Sequence, residues 1–268
     1  MACRLLRIPV AVAVLVMAVI ASASAQSGRL QVAGSADEPM TDLNMVVALD
    51  RSESVELLDR TAQVEALATA LTDPRFMATV RGGWQGRIGI AVMTWSSFDR
   101  TQVVVPWTMI SGLRDSEAVI AIMRDYEARG GDFKHKPQTD IALALGAGMQ
   151  LLEAAPFPAS KRILNVISDG VDNFGREAFV ERDQALAQGI TINGLVHARG
   201  AAIEVVERFF EREVIGGPYA FVLSTPTPAS FTAAMLRKMM LEIAQANTSS
   251  RPDGSGSVRV PAYHRLRG

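Results

Sequence analysis

The chain has 268 residues, 49% of them hydrophobic, and 27 Lys and Arg against 28 Asp and Glu give a net charge of −1. With acids and bases interspersed, nothing in the charge pattern points to nucleic acid, and there is no acidic tail. The single cysteine, Cys3, has no partner for a disulfide, so stability must come from an ordinary hydrophobic core, which one large domain of this length can bury.

Residues 1–25 read as a secretory signal peptide. Arg4 and Arg7 precede an apolar run from Ile8 to Ile20, and Ala23-Ser24-Ala25 supplies an A-x-A cleavage site. The run is shorter than the ~20 residues needed to cross a bilayer. Cleavage after Ala25 is therefore expected, giving a periplasmic or secreted protein with no stable membrane insertion. Residues 26–41 are small and polar and read as a flexible lead-in.

The folded domain is expected over residues 42–246. Leu43 to Leu49 is an apolar run ending sharply at Asp50, the pattern of a strand buried on both faces. Val55 to Val80 has helical spacing, interrupted at Asp73-Pro74. Ile88 to Trp95 and Thr101 to Trp107 are strands, and the short connection between them implies an antiparallel hairpin. Helices are expected over Ser116 to Arg129 and from Thr139 through Leu152. A strand over Arg162 to Ile167, a helix over Gly175 to Gln188 and a strand over Ile190 to Val196 follow. A helix over Ala201 to Arg212, a short strand over Ala220 to Leu223 and a last helix over Pro228 to Ala246 complete the series. Residues 247–268, rich in Ser, Gly, Pro and Arg, read as a disordered tail. Alternating strands and helices imply a doubly wound, Rossmann-like α/β fold: a mostly parallel six-stranded sheet with one antiparallel edge strand and helices on both faces.

In such sheets, ligands bind beyond the carboxyl ends of the strands, where the strand order reverses. The first strand runs into Asp50-Arg51-Ser52-Glu53-Ser54, the fourth into Ser168-Asp169-Gly170, and Thr139 opens a helix between them. Two carboxylates and three hydroxyls suit a hard cation such as Mg2+, or else Mn2+ or Ca2+, which take oxygen ligands. Neither Cys nor His lies near these loops, which argues against zinc or copper. Ser and Thr at such places also serve as helix caps, with Ser54 and Thr139 both suitably placed. It is the combination of five residues that favours a metal site, with Asp50, Ser52, Ser54, Thr139 and Asp169 as ligands.

That set resembles the metal-ion-dependent adhesion site, or MIDAS, of von Willebrand factor type A domains. The wider text resembles a bacterial family with that domain, known as domain of unknown function 1194. The likeness is carried by Gly86-Arg87-Ile88, Val103 to Thr108, Ser168 to Asn173, Gly189 to Leu195 and Ile215 to Pro218. It implies that Ser52, Ser54 and Thr139 contact the ion through hydroxyls, directly or by water, while Asp50 and Asp169 supply charge. One position would stay open for an acidic group of a partner protein. Two departures stand out: Glu53 replaces a common glycine, and Lys134-His135-Lys136-Pro137-Gln138 replaces a glycine-rich approach to the threonine. Arg51, Lys134 and Lys136 are candidates to attract an acidic ligand.

Other motifs carry less. Asp172 and Asn173 read as turn and cap residues rather than ligands. His135 and His197 lack a nucleophile at a recognisable spacing. Trp84, Trp95 and Trp107 read as packing or rim aromatics, and neither a phosphate loop nor a dinucleotide fingerprint occurs. The expected function is an exported, metal-dependent protein-binding module and not an enzyme. The alternatives are a metal-assisted phosphoester hydrolase and a scaffold with a non-functional site.

Overall fold

A computed structural model describes residues 39–55, 57–98, 100–130 and 138–249. The expected signal peptide, most of the lead-in, the segment holding Lys134, His135 and Lys136, and residues 250–268 of the expected tail lie outside them.

The elements run β1 (Leu43–Asp50), α1 (Leu57–Thr72), α2 (Pro74–Arg81), β2 (Ile88–Trp95), β3 (Thr101–Ile110), α3 (Leu113–Ala128) and α4 (Ile141–Glu153). They continue with β4 (Arg162–Ser168), α5 (Ala178–Ala187), β5 (Ile190–His197), α6 (Ala202–Phe209), β6 (Val222–Thr225) and α7 (Pro228–Ser249). Boundaries differ from expectation by a few residues. Strand β3 runs on to Ile110, and α7 continues three residues past Ala246, to Ser249. The expected helix over Ala201 to Arg212 is α6 followed by a π-helical turn, Phe210–Val214. At Asp73-Pro74 the helical run breaks as expected. The Asp73 carboxylate accepts from the Arg75 amide at 2.8 Å, and Pro74 starts α2 where its missing N–H costs nothing.

The six strands form one sheet in the order β3-β2-β1-β4-β5-β6, with only β3 antiparallel to its neighbour. Every residue of β1, β2 and β5 is buried, as strands covered on both faces are. Alternation along β1 divides two cores. Leu43, Met45, Val47 and Leu49 pack with α1, α2, α3 and α7, while Val46 and Ala48 pack with α4, α5 and α6.

The α7 face of the sheet also holds a buried polar cluster. Asn165 of β4 and Asn193 of β5 interrupt their strands with amides, and α7 answers with Lys238 and Glu242, all four nearly inaccessible. Lys238 donates to Glu242 and to the Asn165 side-chain oxygen. Asn165 and Asn193 donate to the Glu242 carboxylate at 2.9 and 2.8 Å. The remaining Asn193 oxygen accepts from the Phe221 amide at 3.0 Å. Buried polar groups need partners, and here each supplies another's. No helix among the described residues is long and apolar enough to cross a membrane.

Candidate functional site

Strand order reverses between β1 and β4. From β1 the chain moves outward to β2 and β3, then returns to the other side of β1 with β4. The crevice beyond the ends of these two strands therefore receives Asp50 from one and Ser168-Asp169 from the other.

Asp50 is fully buried, and both of its oxygens are held. Oδ1 accepts from the Ser52 amide at 2.7 Å, and Oδ2 from the Ser168 hydroxyl at 2.5 Å. The first bond folds the β1–α1 loop back on itself, so the side chains of Ser52 and Ser54 meet, their oxygens 3.1 Å apart. Ser54 Oγ then donates to Asp169 Oδ1 at 2.7 Å, joining the two loops. Ser54 is thus engaged with Ser52 and Asp169, although its position suggested a helix cap.

Thr139 is released from capping by its neighbour. Asp140 caps α4, accepting from the Leu143 amide at 2.9 Å, and Arg176 braces that carboxylate at 2.8 Å. Asp172 accepts from the Ile141 amide at 2.8 Å, and Asn173 from the Thr139 amide at 2.8 Å. Asp172 and Asn173 therefore act as turn and cap residues, as expected. A β-carbon on Gly170 would lie 3.7 Å from the Thr139 hydroxyl and 4.0 Å from that of Ser54. Both hydroxyls accordingly border Gly170, and all five sequence-selected residues surround one crevice.

The electrostatics are those of two acids crowded together. Burial raises the Asp50 carboxyl to about 7, and the charge of Asp169 adds to the effect, while the bonds from Ser168 and Ser52 act against it. Asp169 is also raised, chiefly by burial, with the Ser54 hydroxyl pulling the other way. Among the described residues, no three His, Cys, Asp or Glu side chains gather as a cation cage. Any ion here would need the hydroxyls as well as the two carboxylates. Neighbouring ligand oxygens around octahedral magnesium, with bonds of about 2.0–2.1 Å, stand about 2.9 Å apart. The Ser54–Asp169 and Ser52–Ser54 hydrogen bonds, 2.7 and 3.1 Å long, hold those three oxygens near that spacing, so they fit as neighbouring ligands of such an ion.

Arg51 departs from expectation. It is 2% exposed, donates to Gln63 of α1 at 3.0 Å and pairs with Glu127 of α3. It ties two helices beneath the loop and offers no charge to a ligand. Side chains alternate along an extended chain, so Arg51 faces inward where Asp50 and Ser52 face the crevice. Glu53 is exposed at the loop tip. His197 ends β5 and is buried, with Nδ1 3.2 Å from both Thr225 oxygens. Ser168, which braces Asp50, was not singled out from the sequence, although it belongs to the Ser168-Asp169-Gly170 segment. Of the tryptophans, Trp95 is fully buried, Trp107 bonds to the Leu151 carbonyl at 3.0 Å, and Trp84 is 67% exposed.

A family model described as protein of unknown function (DUF1194) matches residues 40–247. No curated protein matches the sequence. Solved structures that resemble it include the pilus adhesin SpaC of Lactobacillus rhamnosus GG, 13% identical over 79% of this chain and 31% of that one, with a TM-score of 0.54. Proximal thread matrix protein 1 of the mussel byssus, in a form with a zinc-occupied MIDAS motif, is 18% identical over 78% of this chain and 49% of that one, with a TM-score of 0.56. The PilB minor pilin of Streptococcus sanguinis is 11–12% identical over 81% of this chain and 64% of that one, with a TM-score of 0.54. The chain thus spans 31–64% of the length of these proteins. At such identities the likeness is one of fold, a Rossmann-like fold of the von Willebrand factor A type.

Proposed function

For a chain that belongs to the DUF1194 family, we propose an exported protein-binding module whose ligand, an acidic side chain of a partner protein, completes the coordination of a divalent ion in a MIDAS-type site. The observation that carries this reading is the buried Asp50 carboxyl, raised to about 7 beside Asp169, with hydroxyls spaced like neighbouring ligands of one ion. Two carboxylates that repel each other in a buried crevice are best relieved by a cation. Asp50 and Asp169 would supply the charge, and Ser52, Ser54 and Thr139 neutral oxygens. Magnesium, manganese or calcium is the proposed ion, on the all-oxygen donor set. When bound, it would offer a Lewis-acidic position to an incoming carboxylate. The mussel protein's zinc-occupied MIDAS motif is a precedent for an ion in this fold.

The reading is one of binding and not catalysis. The Asp169 carboxylate, which accepts from the Ser54 hydroxyl at 2.7 Å, is assigned to the ion and not to a general base. Hydrolysis by metal-bound water is the competing reading, which a turnover assay addresses. Two measurements on the full chain test the binding reading. Mn2+ titration followed by electron paramagnetic resonance should give one bound ion, lost in both Asp50→Ala and Asp169→Ala. Protein-bound Mn2+ should then broaden the carboxyl resonance of 13C-acetate, the simplest acidic ligand. Binding unaltered in both variants sinks the metal site. Turnover of p-nitrophenyl phosphate that disappears in Asp50→Ala would instead make the protein a hydrolase.

A further inference from the structure

The rim of the crevice carries an aromatic feature that ion binding does not use. Phe98, in the β2–β3 turn, is 59% exposed and adopts a left-handed backbone with φ of 57°. A non-glycine residue adopts that conformation at a cost, and such strain gathers at functional sites. Its ring stands edge-on to Phe174, with centroids 5.0 Å apart. Burial does not explain the arrangement, because a large apolar ring gains most when water is removed from it.

The pair is fastened to the candidate site by hydrogen bonds. Ser97 Oγ accepts from the Gln138 amide at 2.9 Å, and the Gln138 side chain donates to the Asn173 carbonyl at 3.2 Å. Asn173 is in turn bonded to Thr139 twice, accepting from its amide at 2.8 Å and donating to its carbonyl at 3.0 Å. Phe98 and Phe174 thus each follow directly on a residue that fixes the Thr139 segment. The two rings are tied through short hydrogen-bonded links to the backbone of Thr139.

We infer that this rim selects the residue beside the ligand's carboxylate, and that the partner presents an Asp or Glu flanked by an aromatic or branched aliphatic side chain. The inference rests on the metal-site reading above. An extended ligand advances about 3.3–3.6 Å per residue, and the rings each adjoin a residue bonded into the Thr139 segment, so the side chains tested are those next to the acidic one. Apolar chemistry is chosen over cationic because the Arg176 guanidinium already lies 5.8 Å over the Phe174 ring and would repel a second cation. An aromatic neighbour in the ligand would stack on Phe98 and remove exposed apolar surface from water.

Two synthetic peptides test this with the full chain and saturating Mg2+: acetyl-Gly-Gly-Asp-Gly-Gly-amide and acetyl-Gly-Phe-Asp-Phe-Gly-amide, with dissociation constants read from NMR titration. Aromatic pairing predicts roughly three- to tenfold tighter binding of the Phe-flanked peptide. Phe98→Gly and Phe174→Ala should each bring the ratio of the two constants close to one. Glycine accepts the left-handed backbone, so Phe98→Gly should melt no lower than the native chain. Trp84→Ser, which removes an exposed aromatic from the other end of the strands, should leave the ratio unchanged. Equal binding of the two peptides to the native chain overturns this inference alone. So does a preference that survives both Phe variants, or one that Trp84→Ser also abolishes. Binding of neither peptide overturns it together with the metal-site reading.

Discussion

Lys238→Met leaves the Glu242 carboxylate, itself 0% exposed, without its cation beneath α7. Breaking a buried pair by removing one partner costs about 3–5 kcal/mol, because the remaining charge is neither solvated nor neutralised. Glu242 keeps the amide donors of Asn165 and Asn193 at 2.9 and 2.8 Å, so the lower end applies, about 3 kcal/mol. For a domain of this size that lowers the melting temperature by roughly 6–12 °C. Glu242→Leu should be worse, about 5 kcal/mol or roughly 10–20 °C. It removes the acceptor of both amides and of Lys238, whose pKa burial already depresses. The double variant should lose less than the sum of the two singles, since the charges are removed together. Thermal unfolding by circular dichroism at pH 7 in EDTA measures all four proteins. Single-variant shifts below about 2 °C, or a double variant that is strictly additive, would refute the argument that the cluster works as a buried, mutually compensating unit.

Three further outcomes are expected. In EDTA, the Asp50 carboxyl is raised from 3.8 to about 7, so the unfolded chain ionises first as pH rises. Native stability therefore falls between about pH 4 and 7, by about 4 kcal/mol at 1.36 kcal/mol per unit. Asp50→Asn should remove that decline and be the more stable protein at pH 8, and parallel pH profiles would count against it. Gly148→Ala puts a methyl 2.4 Å from the Leu164 side chain in a filled core, which should cost about 1–3 kcal/mol by chemical denaturation. An unchanged midpoint would mean that α4 sits farther from β4. Asp140→Ala removes the α4 cap and the partner of Arg176, with an expected loss of about 1–2 kcal/mol. It should also weaken Mn2+ binding through Thr139. Full stability would show the cap to be dispensable.

What could be read in advance follows from which forces act locally. Strands β1 and β2 stand out as largely apolar runs because both faces of each are covered, and the polar end of β1 marks the crevice. The five candidate ligands were visible because each lies at the end of a strand or the start of a helix, in an order that resembles a known motif. The division of labour between Thr139 and Asp140 was not visible. Either can cap α4, and only the brace from Arg176, 36 residues farther along, settles which does. Arg51 misled because its sequence neighbours face the crevice, while its partners Gln63 and Glu127 come from separate helices. The Lys238–Glu242 pair has the i, i+4 spacing of an ordinary surface pair. Its burial follows from Asn165 and Asn193, two amides in otherwise apolar strands, whose need for partners is met across the core.

The most direct test of the central claim is thermal unfolding of the full chain in EDTA and in Mg2+, Mn2+ or Ca2+, beside an Asp50→Ala/Asp169→Ala variant. Free ion at a hundred times its dissociation constant stabilises a one-site protein by about 2.7 kcal/mol, which at this size is a rise of roughly 5–11 °C. The account predicts that rise in the native chain and none in the variant. No rise with any of the three ions up to millimolar concentration, or an equal rise in the variant, would contradict it.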